Sequence, residues 1–571
     1  MSLTRWALQV LGTLLYTGAL SGCFVGIFNQ NNLTDGASAL STSDTDTGGE
    51  TDDSTSFCTV AGDTGNGKLD TCFNSSGLVP GYMRSSEYAG GFLTRQDNHS
   101  RAWTATDEDG NTYLLQRAST ADHSYEDIQT PSYLCQINAL GTQKFCVLLS
   151  APGQPGNIPG AIHVSAEGDI YIALAQYNDG DEPGVALDSG PSAGDGDFQI
   201  NLKVCRFTAN PFSLDSTFGT SGCVEDATAL STDETQFGPA VMGPTSYEAP
   251  IFMDSRGWRP DGSFSLVVGS QNSTGAPVLV AYDEDGAPDT SHFTSWLLAT
   301  TTLSLWAQTY SDGAGSPTAD FSGGGAILLR LVGMNFQSMG KLVVFLLAQV
   351  PGSDPYPDFL VLRYHADGSR DTTFGTPNND DGVLWPVKPT TDPRATLFEL
   401  DLQTHNAKGI VDSEDRVLLL GTAFNGTNDG NFRVLAYNEE GSTLNHSTGN
   451  ASVTANCSQG QKNNLEIIET PNAVPAEDKI FVSCTEIINP AASPYYQASI
   501  WGFDSTDLSQ LSSFGVSGKL DLPAYDSGSL SLGLFGAISS LGISRKLVVF
   551  GTYKPPSWSS DDVPLLSRYS Y

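Results

Sequence analysis

Among 571 residues, 64 are acidic and 27 basic, and the formal net charge of −37 argues against nucleic acid and against direct binding to an anionic membrane surface. Charged side chains make up only 16% of the chain, below the roughly 25% usual in soluble domains, so much of the polar surface must be Ser, Thr and Asn. Sixty Gly, 30 Pro, 27 Phe and 20 Tyr, with no sustained helical periodicity, describe an all-β chain rich in turns.

Residues 1–22 read as a targeting segment. Arg5 supplies a short positive start, and Trp6–Leu20 is apolar but too short for a spanning helix. The segment ends in Leu20-Ser-Gly-Cys23, which resembles the lipobox of bacterial lipoproteins. That resemblance implies acylation of the Cys23 sulfur, cleavage before it, and an anchor of more than the two signals that stable membrane attachment needs. Phe24 after the Cys fits export to the outer membrane.

Residues 23–56 read as a tether. From Asp35 onward they are Ser, Thr, Asp and Gly, as in Asp44-Thr-Asp-Thr-Gly-Gly-Glu-Thr-Asp-Asp53. Such a stretch buries too little apolar surface to offset its ordering entropy. As a coil it would reach on the order of 30 Å. The Asp spacing is that of a solvated acidic linker rather than a calcium loop.

Residues 57–571 are organised by a repeat. Its best copy is Phe359-Leu-Val-Leu-Arg-Tyr-His-Ala-Asp-Gly-Ser-Arg-Asp-Thr-Thr-Phe-Gly375: an alternating strand, an Asp-Gly turn, and an Asp-x-x-Phe-Gly corner. Asp nucleates a turn by bonding the backbone two residues on. Phe carries apolar area into a core, and Gly accepts the positive φ of a sharp bend. Other copies end at Phe73, Phe218 and Phe514, and degenerate ones at Phe145, Phe293 and His446. The seven landmarks 73, 145, 218, 293, 374, 446 and 514 are spaced by 68 to 81 residues.

Each corner is preceded by an apolar run, such as Ile170–Ala175, Lys341–Leu347, Arg416–Gly421 or Lys546–Gly551, and then by a second strand. Several strands per unit describe the blades of a β-propeller. Val563–Tyr571 is a pre-corner strand with no corner after it, and Gly67–Phe73 is a corner with no strand before it. Joined, they make one unit and satisfy otherwise exposed edges. The expectation is seven blades, the last one closed by both chain ends.

These blocks resemble the delta-60 repeat family of bacterial surface and secreted propeller-like proteins, over roughly residues 65 to 571. The period departs from the family's: it exceeds seventy residues here, where the name implies about sixty. The extra length falls in loops such as Asn178–Asp197. The family implies no single activity.

Nine cysteines less Cys23 leave eight, an even number suited to an oxidising compartment. Cys135 and Cys205 share a place in the pre-corner strand, and Cys146 and Cys223 each follow their own corner. That pairs Cys135 with Cys146 and Cys205 with Cys223, leaving Cys58–Cys72 and Cys457–Cys484 as the remaining local choices. No CxxC and no zinc-ligand spacing occurs, so no metal site is assigned.

No HExxH, GxSxG or P-loop is present, and no catalytic residue is assigned. The histidines 99, 123, 163, 292, 365, 405 and 446 are scattered, with His292, His365 and His446 in or beside corners. Asp107-Glu-Asp-Gly110 and Asp283-Glu-Asp-Gly286 read as hairpin turns, since no Glu completes a calcium loop. The acidic loop Asn178–Asp197 is the remaining place for calcium. Tryptophans 258, 296, 306, 385, 501 and 558 either pack between blades or face a sugar. The expected function is a monomeric cell-envelope lipoprotein presenting a binding or scaffold surface to extracellular protein or glycan. The alternative is a propeller enzyme acting on polysaccharide or a redox cofactor, for which the supply of His, Lys and Arg is thin.

Overall fold

Seven antiparallel sheets hold the strands of the computed structural model. It describes residues 67–76, 81–84, 102–117, 132–142, 144–149, 157–179, 198–226, 251–256, 264–271, 277–289, 296–297 and 328–349. It further describes 358–375, 383–384, 407–423, 431–442, 452–456, 466–470, 479–488, 495–522, 530–533, 538–541, 546–554 and 563–571. Residues 1–56, where the signal, Cys23 and the tether are expected, lie outside these, as does most of the acidic loop.

Blades are numbered along the chain. Their innermost strands are Ala102–Thr106, Asn157–Val164, Phe252–Arg256, Leu328–Phe336, Lys408–Val411, Glu466–Thr470 and, in blade 7, Ile538–Leu541. Each innermost strand touches that of the next blade, and blade 7 touches blade 1, so the ring is closed. This is a seven-bladed β-propeller, as the repeat predicts, and no helix occurs among the described residues.

The core is a ring of seven seams rather than one centre. One apolar cluster fills each junction between neighbouring blades. Side chains of a strand alternate between its two faces, and blade 4 uses both. Leu342, Val344 and Leu346 pack toward blade 3, while Val343, Phe345 and Leu347 pack toward blade 5. A second strand buried on both faces must be apolar at every position, which is why these strands read as unbroken hydrophobic runs.

Closure is carried by the chain ends. The C-terminal strand Val563–Ser570 pairs with Lys546–Lys554 on one side. On its other side it pairs with Lys68–Leu69 (Lys68 opposite Ser570) and with Tyr82–Arg84 (Tyr82 opposite Ser567).

One degenerate corner is not a corner. In blade 1 the chain turns at Asn138–Gly141 and enters the outer strand Lys144–Leu148 directly. Phe145 therefore lies on an edge strand and is 50% exposed, whereas Phe73, Phe218, Phe374 and Phe514 are fully buried. The copies ending at Phe293 and His446 run beyond the described residues.

Candidate functional site

The repeated Asp, Phe and Gly build a clasp between blades. In three blades the third strand carries Arg and an aromatic residue at or near its end: Arg206-Phe207, Arg363-Tyr364 and Arg568-Tyr569. Each guanidinium Nε donates to the corner carboxylate: Arg206 to Asp215 at 2.8 Å, Arg363 to Asp371 at 2.9 Å, Arg568 to Asp70 at 2.7 Å. Each also lies over the corner ring, 5.3 Å from Phe218, 4.6 Å from Phe374 and 4.8 Å from Phe73. The Nη1 atoms donate to backbone carbonyls in the next blade's turn, at Glu284, Glu439 and Ala139. The corner backbone follows, with the Gly219 and Gly375 N–H groups donating to Asp285 (2.7 Å) and Glu440 (2.9 Å).

The turns that receive this clasp end in Gly286, Gly441 and Gly141, which supply space as well as positive φ. A Cβ on Gly286 (φ +80°) would lie 2.9 Å from the Gly219 nitrogen and 3.1 Å from the Phe218 ring. Both Asp-x-Asp-Gly segments are turns, closed by Gly110 N–H to Asp107 C=O at 3.1 Å and Gly286 N–H to Asp283 C=O at 3.0 Å.

Two seams use other chemistry at the same place. In blade 1, Gln136 replaces Arg and its Nε2 donates to Ala209 C=O of blade 2 at 3.0 Å. In blade 6, Gly502 stands at the Arg position and Leu511 at the Asp position, with Leu511 filling the vacated space (3.1 Å from a Gly502 Cβ). Losing both charges together avoids the uncompensated buried ion that losing one would leave. The best-preserved residues of the repeat are therefore structural.

A separate polar chain runs across four innermost strands. His163 is on the blade 2 strand, Asp254 and Ser255 on that of blade 3, and Asn335 on that of blade 4. Adjacent strand residues face opposite ways, so Ser255 turns to blade 2 and Asp254 to blade 4. His163 Nε2 lies 2.5 Å from Ser255 Oγ, and Nδ1 lies 3.6 Å from Asp254 Oδ1. Asp254 accepts from the Ser255 N–H (2.9 Å), the Phe336 N–H (2.9 Å) and Asn335 Nδ2 (3.4 Å). Asn335 Oδ1 then accepts the Val411 N–H of blade 5 at 3.3 Å.

Burial lowers the His163 pKa from 6.5 despite the opposing pull of Asp254 and Glu167. Burial also raises Asp254, against His163 and its three donors. His163 is thus the neutral imidazole at pH 7, with a side chain 20% exposed. Sequence reading gave none of these residues a role. His163 and Ser255 are 92 positions apart with no local motif. The one available signal was positional, since His163 and Asn335 each stand two residues before their blade's first turn.

His365 opens a turn and its Nε2 stands 3.7 Å from Asp371 Oδ1. Trp501 packs edge-to-face on Phe432 (6.0 Å) in the seam between blades 5 and 6. Tryptophans 258, 306, 385 and 558 lie outside the described residues. Cys135–Cys146 and Cys205–Cys223 are disulfides joining directly opposed residues of neighbouring strands. Cys72 and Cys484 are disulfide-bonded as well, while Cys58 and Cys457 lie outside the described residues.

No family model and no curated protein matches this chain. Among solved structures it is similar to a polysaccharide lyase at 11% identity, covering 83% of this chain and 90% of that one, TM-score 0.42. It is also similar to the β-propeller domain of the Trilobed protease from Pyrococcus furiosus (8%, 83% and 94%, TM-score 0.37). A Trypanosoma rangeli sialidase is similar at 11%, over 86% of this chain and 59% of that one, TM-score 0.36.

Proposed function

We propose that this protein is a bacterial outer-membrane lipoprotein, acylated at Cys23, that holds its propeller on the tether of residues 23–56 as a binding or scaffold surface for extracellular protein or glycan. The observation that supports it most is how the repeat spends its charged residues. Arg206, Arg363 and Arg568, each fixed by its own blade's Asp215, Asp371 or Asp70, reach carbonyls of the next blade rather than meeting in one pocket, as catalytic groups must. A ring clasped this way is a rigid platform, and the net charge of −37 favours neutral or cationic ligands over anionic ones. The delta-60 resemblance points to the same kind of surface protein.

The test is fractionation and capture. Cys23→Ser should move the protein from the membrane to the soluble fraction. Glycan arrays and pull-downs with the purified protein should then return a specific extracellular ligand. Unchanged membrane association of Cys23→Ser would remove the anchor, and with it the display reading.

A further inference from the structure

The geometry points to a second capability, independent of display: Ser255 and His163, on the innermost strands of blades 3 and 2, form a nucleophile–base pair able to take an acyl group from a neutral ester. A serine hydroxyl is activated by a base within hydrogen-bond reach that is oriented by a third group. The 2.5 Å contact between Ser255 Oγ and His163 Nε2 meets the first condition. Asp254, 3.6 Å from Nδ1, is a positioning residue. Its Oδ1 faces Nδ1, which favours the tautomer with the proton on Nδ1 and leaves the Nε2 lone pair toward Ser255. Asp254 is itself held by two backbone N–H groups and Asn335, so the carboxylate does not swing away.

All three side chains stand on strands whose register is fixed, with His163 opposite Tyr171, Asp254 opposite Val267 and Ser255 opposite Leu266. Sites on such elements hold their geometry better than sites on loops. The charged neighbours acting on His163 are Asp254 and Glu167, both of which favour its role as a base. Asn335 and Val411 use the same ring only to stitch blades together. The His163–Ser255 contact differs because a titratable base faces a hydroxyl and both are partly open.

The step balances without any further reactant than ester and water. Ser255 Oγ bonds to the carbonyl carbon while its proton passes to Nε2. The carbon–oxygen bond to the alcohol breaks, and the alcohol departs with that proton. Water then repeats the sequence on the acyl-serine, releasing the acid and restoring Ser255.

The experiment treats the purified full-length protein with a fluorophosphonate probe and maps the modified residue, alongside hydrolysis of p-nitrophenyl acetate. Labelling of Ser255 is expected. It should fall on the order of 100-fold or more in His163→Gln, which keeps a hydrogen-bonding partner but loses the base. Labelling of the wild type should stay level from neutral pH down past 6.5, the ordinary histidine value, and drop only in stronger acid. Melting curves of Ser255→Ala and His163→Gln serve as the folding control. A folded wild type that takes no probe, or equal labelling in Ser255→Ala, would overturn the assignment.

Discussion

Asp70 and Arg568 are 498 residues apart in the chain and meet at 2.7 Å, both side chains almost wholly buried. The pair closes blade 7 as Arg206–Asp215 and Arg363–Asp371 close blades 2 and 4, and Arg568 passes on to the Ala139 carbonyl of blade 1 as those arginines do to Glu284 and Glu439. Asp70→Ala should therefore leave an unpaired buried cation and cost about 3–5 kcal/mol in urea melts. The double change Asp70→Leu with Arg568→Gly copies blade 6, where Leu511 and Gly502 coexist, and should recover most of that loss. A double variant as unstable as the single one would show that the clasp is not interchangeable.

The clasps also make the ring acid-sensitive. Burial alone would raise the pKa of Asp371, but hydrogen bonds from Thr373 and Lys341 and the charge of Arg363 hold it well below 3.8. A depressed folded pKa means stability that is complete above the unfolded value and lost as pH falls through the folded one. Asp215 is shifted the same way by Thr217 and Arg206 against its own burial. Unfolding free energy should thus decline as pH drops below about 3.8, and Asp371→Asn should flatten that decline. An unchanged acid slope in Asp371→Asn would assign the sensitivity elsewhere.

Two glycines separate backbone strain from crowding. Gly168 has φ +87° with open space around a would-be Cβ, whereas Gly375 has φ +118° and its Cβ would lie 2.3 Å from Val383 O. Gly168→Ala should cost about 1–2 kcal/mol from conformation alone. Gly375→Ala should cost clearly more, because the clash is with backbone that cannot step aside. Equal penalties in chemical denaturation would mean that the corner tolerates rearrangement.

The cross-strand disulfides predict a local effect. Cys135 and Cys146 are 11 residues apart, so replacing both by Ala should cost about 2–3 kcal/mol through the unfolded chain without altering the fold. A non-reducing peptide map should return Cys135–Cys146 and Cys205–Cys223 as separate short links.

What could be read from sequence alone was what is local. The Asp-x-x-Phe-Gly corner carries its own turn logic within a few residues, and the second strands betray burial on both faces by being apolar throughout. Closure was legible because Val563–Tyr571 and Gly67–Phe73 are complementary halves of one unit. Phe145 misled because its spacing from the other landmarks fits while its blade lacks the Asp that starts a corner. His163, Asp254 and Ser255 were illegible for the opposite reason. They meet only because two innermost strands lie side by side, and no short motif encodes a contact across a seam.

The strongest test of closure is removal of Val563–Tyr571. That strand places Leu565 and Tyr569 in the seam with blade 6 and Leu566 in the seam with blade 1. It also supplies Arg568 and the backbone partners of Lys68–Leu69 and Tyr82–Arg84. Its loss should open two apolar seams and expose two strand edges, the features that template aggregation. The truncated chain should lose its cooperative melting transition and aggregate, and a synthetic Val563–Tyr571 peptide supplied during refolding should restore part of it. A truncated chain that melts like the intact protein would mean that the ring does not depend on this strand.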